Sequence, residues 1–366
     1  MKLTKKEILL LLIPIILFIL IIIVLSSFLK QKNDTIQSEN VQNDTKNSPE
    51  IINTSIIEPK TSYNNPIVPN GFKKVETDNA SWNLDEQGNP KGWNDGLVIE
   101  DEKGNQFVWV PCTIDGINNT VKYSRYIVNN KDLMPVTDNK LYDNILNQNK
   151  ACYFVESDQI NNEIYKSIEK NQGFYIGRFE TGIENGDLLP LTNDYTSDSF
   201  TLWQNGTPII KANCKVWNYI TRYKAEEISK NFYNSNNVQS SLITSFCFDT
   251  ALKWISNSIP DFCINSQNYG NYNDIKKDDS GHILTGTDKK YMYKNIYDMA
   301  GNMREFTTEI YIDNRTSTQL NVLRENHGHV FGITNIQDKK SCISRLALPK
   351  EWYNISCSFR IVLFIK

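Results

Sequence analysis

Histidine is scarce, three in 366 residues, and none of the seven cysteines stands in a Cys-x-x-Cys spacing, which removes the common zinc-ribbon ligand sets. Basic charge is not in excess either: 39 Lys and Arg face 42 Asp and Glu, and the lysines are scattered along the chain. Nucleic acid is therefore not an expected partner. No internal repeat and no second linker interrupt the chain beyond residue 66. The seven cysteines, Cys112, Cys152, Cys214, Cys247, Cys263, Cys342 and Cys357, form disulfides if their surroundings oxidise. Their odd number leaves at least one thiol or an intermolecular bridge, and spacing assigns no pairs.

What the N-terminus does have is a long apolar run. After Lys2, Lys5 and Lys6, residues 8–29 are almost unbroken apolar sequence, 22 residues interrupted by Pro14, Ser26 and Ser27. As a helix they span roughly 33 Å, enough to cross a hydrocarbon core of about 30 Å. The run is longer than a signal-peptide core, so an uncleaved anchor is expected, with residues 1–7 cytoplasmic and the rest of the chain outside. Residues 30–65, rich in Asn, Ser, Thr, Asp and Lys, read as a flexible linker. Residues 66–366 then form an extracytoplasmic domain, a segment at 66–150 preceding a core at 171–366.

Within that domain the pattern is of short strands and few helices. Gln106 to Val110 and Phe174 to Phe179 alternate as strands do, and Phe359 to Ile365 is a continuous apolar run suited to a buried strand. Trp217, Ile220, Lys224, Ala225, Ile228 and Phe232 recur at near-helical spacing, as do Phe246, Cys247, Thr250, Ala251, Trp254 and Ile255. Asn, Asp, Gly and Ser clusters interrupt the remainder, notably at 265–280 and 313–318. The fold class expected is loop-rich α+β.

The most informative stretch is Asn295-Ile-Tyr-Asp-Met-Ala-Gly-Asn-Met-Arg-Glu305. Asp298 and Glu305 flank Gly301 and Asn302, where the backbone can turn sharply, and such a loop can surround a hard cation such as calcium. Two carboxylates around a Gly-Asn turn are also common as caps and solvated turn residues.

The same stretch resembles the hallmark segment of the formylglycine-generating enzyme, or sulfatase-modifying factor, family. Gly173-Phe-Tyr-Ile-Gly-Arg-Phe-Glu180 is similar to that family's opening strand, and Ser358-Phe-Arg-Ile-Val-Leu363 to its closing Gly-Phe-Arg strand, with Ser in place of Gly. Leu242-Ile-Thr-Ser-Phe-Cys-Phe-Asp249 falls where relatives carry a Leu-Pro-Thr-Glu-like run. Pro66 to Pro111 resembles an N-terminal extension of bacterial surface members. The resemblance implies a C-type-lectin-like fold. It also implies a structural calcium held by the Asp298 side chain, the backbone carbonyls of Gly301 and Met303, and the Glu305 carboxylate, with Asn271 matching a second calcium position.

Formylglycine-generating enzymes hold copper with two cysteines separated by four intervening residues, after an Arg/Lys-Gly-Gly-Ser-type turn. The matching turn here is Leu323-Arg-Glu-Asn326, followed by His327-Gly-His-Val-Phe-Gly-Ile333, without cysteine. Cys342 and Cys357 are fifteen apart. No copper and no catalytic residue is expected, and His327 with His329 lacks a third ligand. The leading expectation is a non-catalytic binding or surface module, with residues 311–340 as recognition surface and an extracellular protein or glycan as ligand. The alternatives are an enzyme of the same fold performing a different oxidation or modification, and a structural envelope component.

Overall fold

The computed structural model describes residues 62–366 apart from 119, 130, 137, 139, 143–150, 157, 187–204, 236, 273–283 and 325–340. The predicted membrane anchor and most of the linker lie outside the described residues. The chain divides into units Met1–Glu58 and Pro59–Lys366, so the folded unit starts before the boundary expected at residue 66. The reason is local: the Trp109 indole donates to the Tyr63 carbonyl, the Tyr63 amide donates to Gln172, and the Tyr63 ring meets Trp93 edge-on.

The architecture is mixed α+β, mostly sheet, with three α-helices among the described residues. In chain order come β1 (Phe72–Val75), β2 (Val98–Asp101), β3 (Gln106–Thr113), β4 (Val121–Lys122), β5 (Arg125–Asn129), β6 (Asp132–Val136), β7 (Lys140–Tyr142) and β8 (Cys152–Val155). Helix α1 (Asp158–Asn171) leads to β9 (Gly173–Gly177), β10 (Gly182–Ile183) and β11 (Pro208–Ile209). Helix α2 (Arg222–Phe232), β12 (Val238–Leu242) and helix α3 (Ser245–Ser256) follow. The last third holds β13 (Met292–Tyr293), β14 (Ile296–Tyr297), β15 (Arg304–Asp313), β16 (Thr318–Arg324), β17 (Arg345–Leu348), β18 (Cys357–Phe359) and β19 (Ile361–Ile365).

The first sheet has the order β1-β2-β3-β9-β19-β12, with β4 attached to β3. Its central strands are buried on both faces, and the strand period of two sends alternate residues to different cores. Val108, Val110, Phe174, Ile176, Val362 and Phe364 join one core with α1 and α3. Phe107, Trp109, Tyr175, Ile361, Leu363 and Ile365 join the other, with Ala225 of α2 and the preceding Trp217 and Ile220. The second sheet runs β17-β16-β15-β8-β7, with β18 parallel to β15. Strand β15 carries an irregularity between Phe306 and Ile310. Strands β18 and β19 are separated by Arg360 alone, so the chain changes sheets at that residue.

The strands expected at Gln106–Val110 and Phe174–Phe179 are β3 and β9. The continuous run expected from Phe359 is divided at Arg360. The two expected helical stripes are α2 and α3, but α2 starts only after Thr221. The Thr221 side chain caps the Lys224 amide, while Trp217 and Ile220 are buried in non-helical chain. Thr244 caps α3 through the Cys247 amide.

Candidate functional site

The loop singled out in the sequence opens with the β13–β14 hairpin, whose two connecting residues, Lys294 and Asn295, both take positive φ, 52° and 61°. Two such residues match a primed hairpin turn. Asn295 Nδ2 donates to the Gly96 carbonyl at 2.8 Å and to Thr77 Oγ1 at 2.9 Å, which seats the hairpin beside the start of β2. Beyond β14, Asp298, Gly301 and Asn302 also take positive φ, 59°, 81° and 62°. A Cβ on Gly301 would lie 2.4 Å from the Asn271 amide nitrogen, so only glycine fits.

The turn delivers its polar groups to three other parts of the chain. Asn302 Nδ2 donates to Glu180 Oε2 at 2.6 Å, and the Met303 amide donates to Glu180 Oε1 at 3.1 Å. Asn271 Nδ2 donates to Asn302 Oδ1 at 3.1 Å, and the Asn302 amide to the Asn271 carbonyl at 3.0 Å. Glu305, the second residue of β15, receives Arg360 Nη2 at 2.7 Å and Arg360 Nε at 3.1 Å. Arg360 also donates to the carbonyls of Gly177 and Tyr297. The three sequence motifs, which carry Glu180, Glu305 and Arg360, therefore meet in one place, and all three residues are fully buried.

Three carboxylates share this single guanidinium. Burial pushes Asp298 up to about 7; Arg360 opposes that rise and Glu305 adds to it. Burial, then Asp298 and Glu305, raise Glu180 well above the usual carboxylate range. Arg360 makes its direct ion pair with Glu305. Of the residues expected to hold calcium, Glu305 thus has both oxygens engaged by a guanidinium and the Met303 amide is tied to Glu180. Both Asp298 oxygens are buried without a well-formed hydrogen bond. Among the described residues no cluster of three or more His, Cys, Asp or Glu has a metal-binding arrangement.

A second buried charge cluster was not foreseen. Asp249 of α3 accepts from Arg345 Nη2 at 2.7 Å and from the Tyr126 amide at 2.9 Å, and pairs with Arg324 Nη2 at 2.9 Å. Glu309 of β15 pairs with Arg125 at 3.0 Å and with Arg345 at 2.8 Å. Burial pushes Glu309 up, but Arg345, Arg324 and Arg125 together outweigh it and hold the carboxyl down at about 2. Arg324 and Arg345 face each other in the β16–β17 ladder. The segment read as the family's catalytic turn therefore begins inside a strand, at Leu323 and Arg324; the rest of it, with His327 and His329, lies outside the described residues. Of the expected recognition surface at 311–340, Tyr311, Val322, Leu323 and Arg324 are buried in the β15–β16 hairpin, and 325–340 lie outside the described residues.

The thiols are distributed differently from the family pattern. Cys357 is buried in β18, and burial pushes its thiol up to about 12. Cys342 places Sγ 3.7 Å from Cys263 Sγ, 79 positions away, and both are sealed in the first core.

Open space is found elsewhere. A cleft of about 700 Å3 is bordered by Phe72, Lys103, Asn105, Lys211, Asn231 and Phe232, with Glu184 and Glu227 balancing the lysines. A second, of about 570 Å3, is lined by Glu156, Arg222, Tyr223, Glu226 and Thr308. Neither includes Glu180, Asp298, Glu305, Arg360 or a cysteine.

No family model matches the chain, and no curated protein does. Three chains of known structure match. One is Treponema denticola variable protein 1, at 14% identity over 80% of this chain and 94% of that one, with a TM-score of 0.24. An overlap so low carries no argument.

Proposed function

We propose that this chain is a membrane-anchored, extracytoplasmic binding module on a formylglycine-generating-enzyme-like, C-type-lectin-like scaffold, with a glycan as its ligand. The reading is carried by a division of labour. The motif residues Glu180, Asn302, Glu305 and Arg360 bond to one another in the sealed interior, where they hold loops. The cleft of about 700 Å3 is lined by other groups: Asn70, Asn205 and Asn231, balanced Lys and Glu side chains, and the aromatic residues Phe72, Phe232 and Tyr233. Carboxamides donate and accept at once, as a ring of hydroxyls requires, and aromatic rings suit the apolar C–H faces of sugars. A near-neutral balance of charge favours an uncharged glycan over an anionic one. The test is a glycan array probed with the full chain in detergent micelles, followed by calorimetry on any hit. Asn231→Ala and Lys103→Ala should each weaken binding at least about tenfold, since each leaves a polar partner unmet, while the melting temperature stays put. An array without hits, or a hit indifferent to both substitutions, would overturn the assignment.

A further inference from the structure

Residues 341–343 are docked on the turn that follows α3. The Cys342 amide donates to Ser266 Oγ at 3.1 Å, and the Ser341 hydroxyl donates to the Cys263 carbonyl. Ser266 Oγ in turn donates to the Phe262 carbonyl at 3.0 Å. These bonds hold the two backbones in register, and between them the two sulfurs stand 3.7 Å apart with Ser256 Oγ 3.5 Å from Cys263 Sγ. Both cysteines are buried, and neither borders a cleft described above.

We propose that Cys263 and Cys342 are a disulfide-forming pair, whose bond fastens the chain leading into β17 to the turn that follows α3. The sulfurs need only close from 3.7 Å to the about 2.05 Å of a disulfide, between two segments already joined by the hydrogen bonds of Ser341, Cys342 and Ser266. The oxidant is a disulfide of low molecular weight or a dithiol oxidase. With oxidised glutathione, one cysteine thiolate attacks a glutathione sulfur, forming a mixed disulfide and releasing one glutathione thiolate. The second cysteine then attacks the protein sulfur of the mixed disulfide and releases the second. Each cysteine gives up a proton, the pair gives up two electrons, and one oxidised glutathione becomes two reduced. Burial raises the Cys263 thiol well above its ordinary range, so the exchange runs while the chain folds and is slow once the core has closed.

The bond would close a loop whose ends are 79 residues apart, and long loops lose the most unfolded-chain entropy. It does not depend on the glycan reading, because it can be made and measured in vitro without a ligand. The full chain is refolded in detergent with a reduced and oxidised glutathione buffer, unfolded without reductant, alkylated and digested. The expected product is one peptide containing Cys263 joined to one containing Cys342, two hydrogens lighter than the separate peptides. The refolded protein should melt at least about 4 °C higher than the same chain refolded in dithiothreitol. Cys342→Ser should abolish that difference, whereas Cys214→Ser, at a half-buried thiol away from the pair, should keep it. Alkylation of both Cys263 and Cys342 after oxidative refolding, or linkage of either to a different cysteine, would overturn the proposal. That peptide map on the unsubstituted chain stands even if the Ser variant fails to fold.

Discussion

Asp298 is a residue whose charge the fold controls. Its carboxyl has a reference value of 3.8 and is raised to about 7 in the fold, so the folded state holds the proton more tightly than the unfolded chain. The stability this contributes is complete below pH 3.8 and is lost as pH rises through about 7, up to about 4 kcal/mol by linkage. Asp298→Asn mimics the protonated side chain and, like Asp, tolerates the positive φ of this position. It should raise the melting temperature by several degrees at pH 8 and leave it nearly unchanged at pH 4, as thermal melts across that range would record. Glu305 matters through its ion pair. Its removal strands the fully buried Arg360 without its carboxylate, and Glu305→Ala should cost about 3–5 kcal/mol in chemical unfolding. The same melts carry the calcium question: if Asp298, Gly301, Met303 and Glu305 hold calcium, the unsubstituted chain melts higher in calcium than in chelator and Glu305→Ala does not. Equal melting in both would remove the ion from the account.

At the level of helices and strands, the sequence was most readable where a two-residue or near-four-residue period coincided with burial. Strands β3 and β9 and helix α3 were legible for that reason. Helix α2 was placed a turn too early because Trp217 and Ile220 continue its apolar stripe, although Thr221 is its N-cap. Thr221→Ala should therefore destabilise the chain by about 1 kcal/mol in denaturant titration. Helix α1 was missed, although Ile160, Ile164 and Ile168 mark every fourth position, because Asn and charged residues dilute that stripe. Strand β15 was missed for a different cause. Its Thr307, Thr308 and Glu309 are polar yet buried, and their partners come from distant segments, Val322, Glu156 and the three arginines, which no local pattern reports. The candidate site shows the same division. Motif residues Glu180, Glu305 and Arg360 could be named from the sequence, but their mutual pairing could not, since it spans 55 positions between Glu305 and Arg360 and arises from the change of sheet at Arg360.

For the molecule as a whole, the compact unit Pro59–Lys366 contains every contact described above. A chain beginning at residue 59 should refold with the melting temperature of the full chain, measured by circular dichroism. One beginning at residue 76 loses β1, the Tyr63 contacts with Trp109 and Gln172, and the acceptor of the Tyr175 hydroxyl at Ile67, and should melt well below it.

Strand β19 lies between β9 and β12, inside the first sheet, and β18 just ahead of it closes onto β15. Until residues 357–365 have been synthesised and delivered, β9 and β12 have no neighbour to join them and Glu305 has no counter-ion. Closure of the first sheet is thus gated by residues 357–365: β9 and β12 come together only once this one segment has threaded between them and set Arg360 against Glu305.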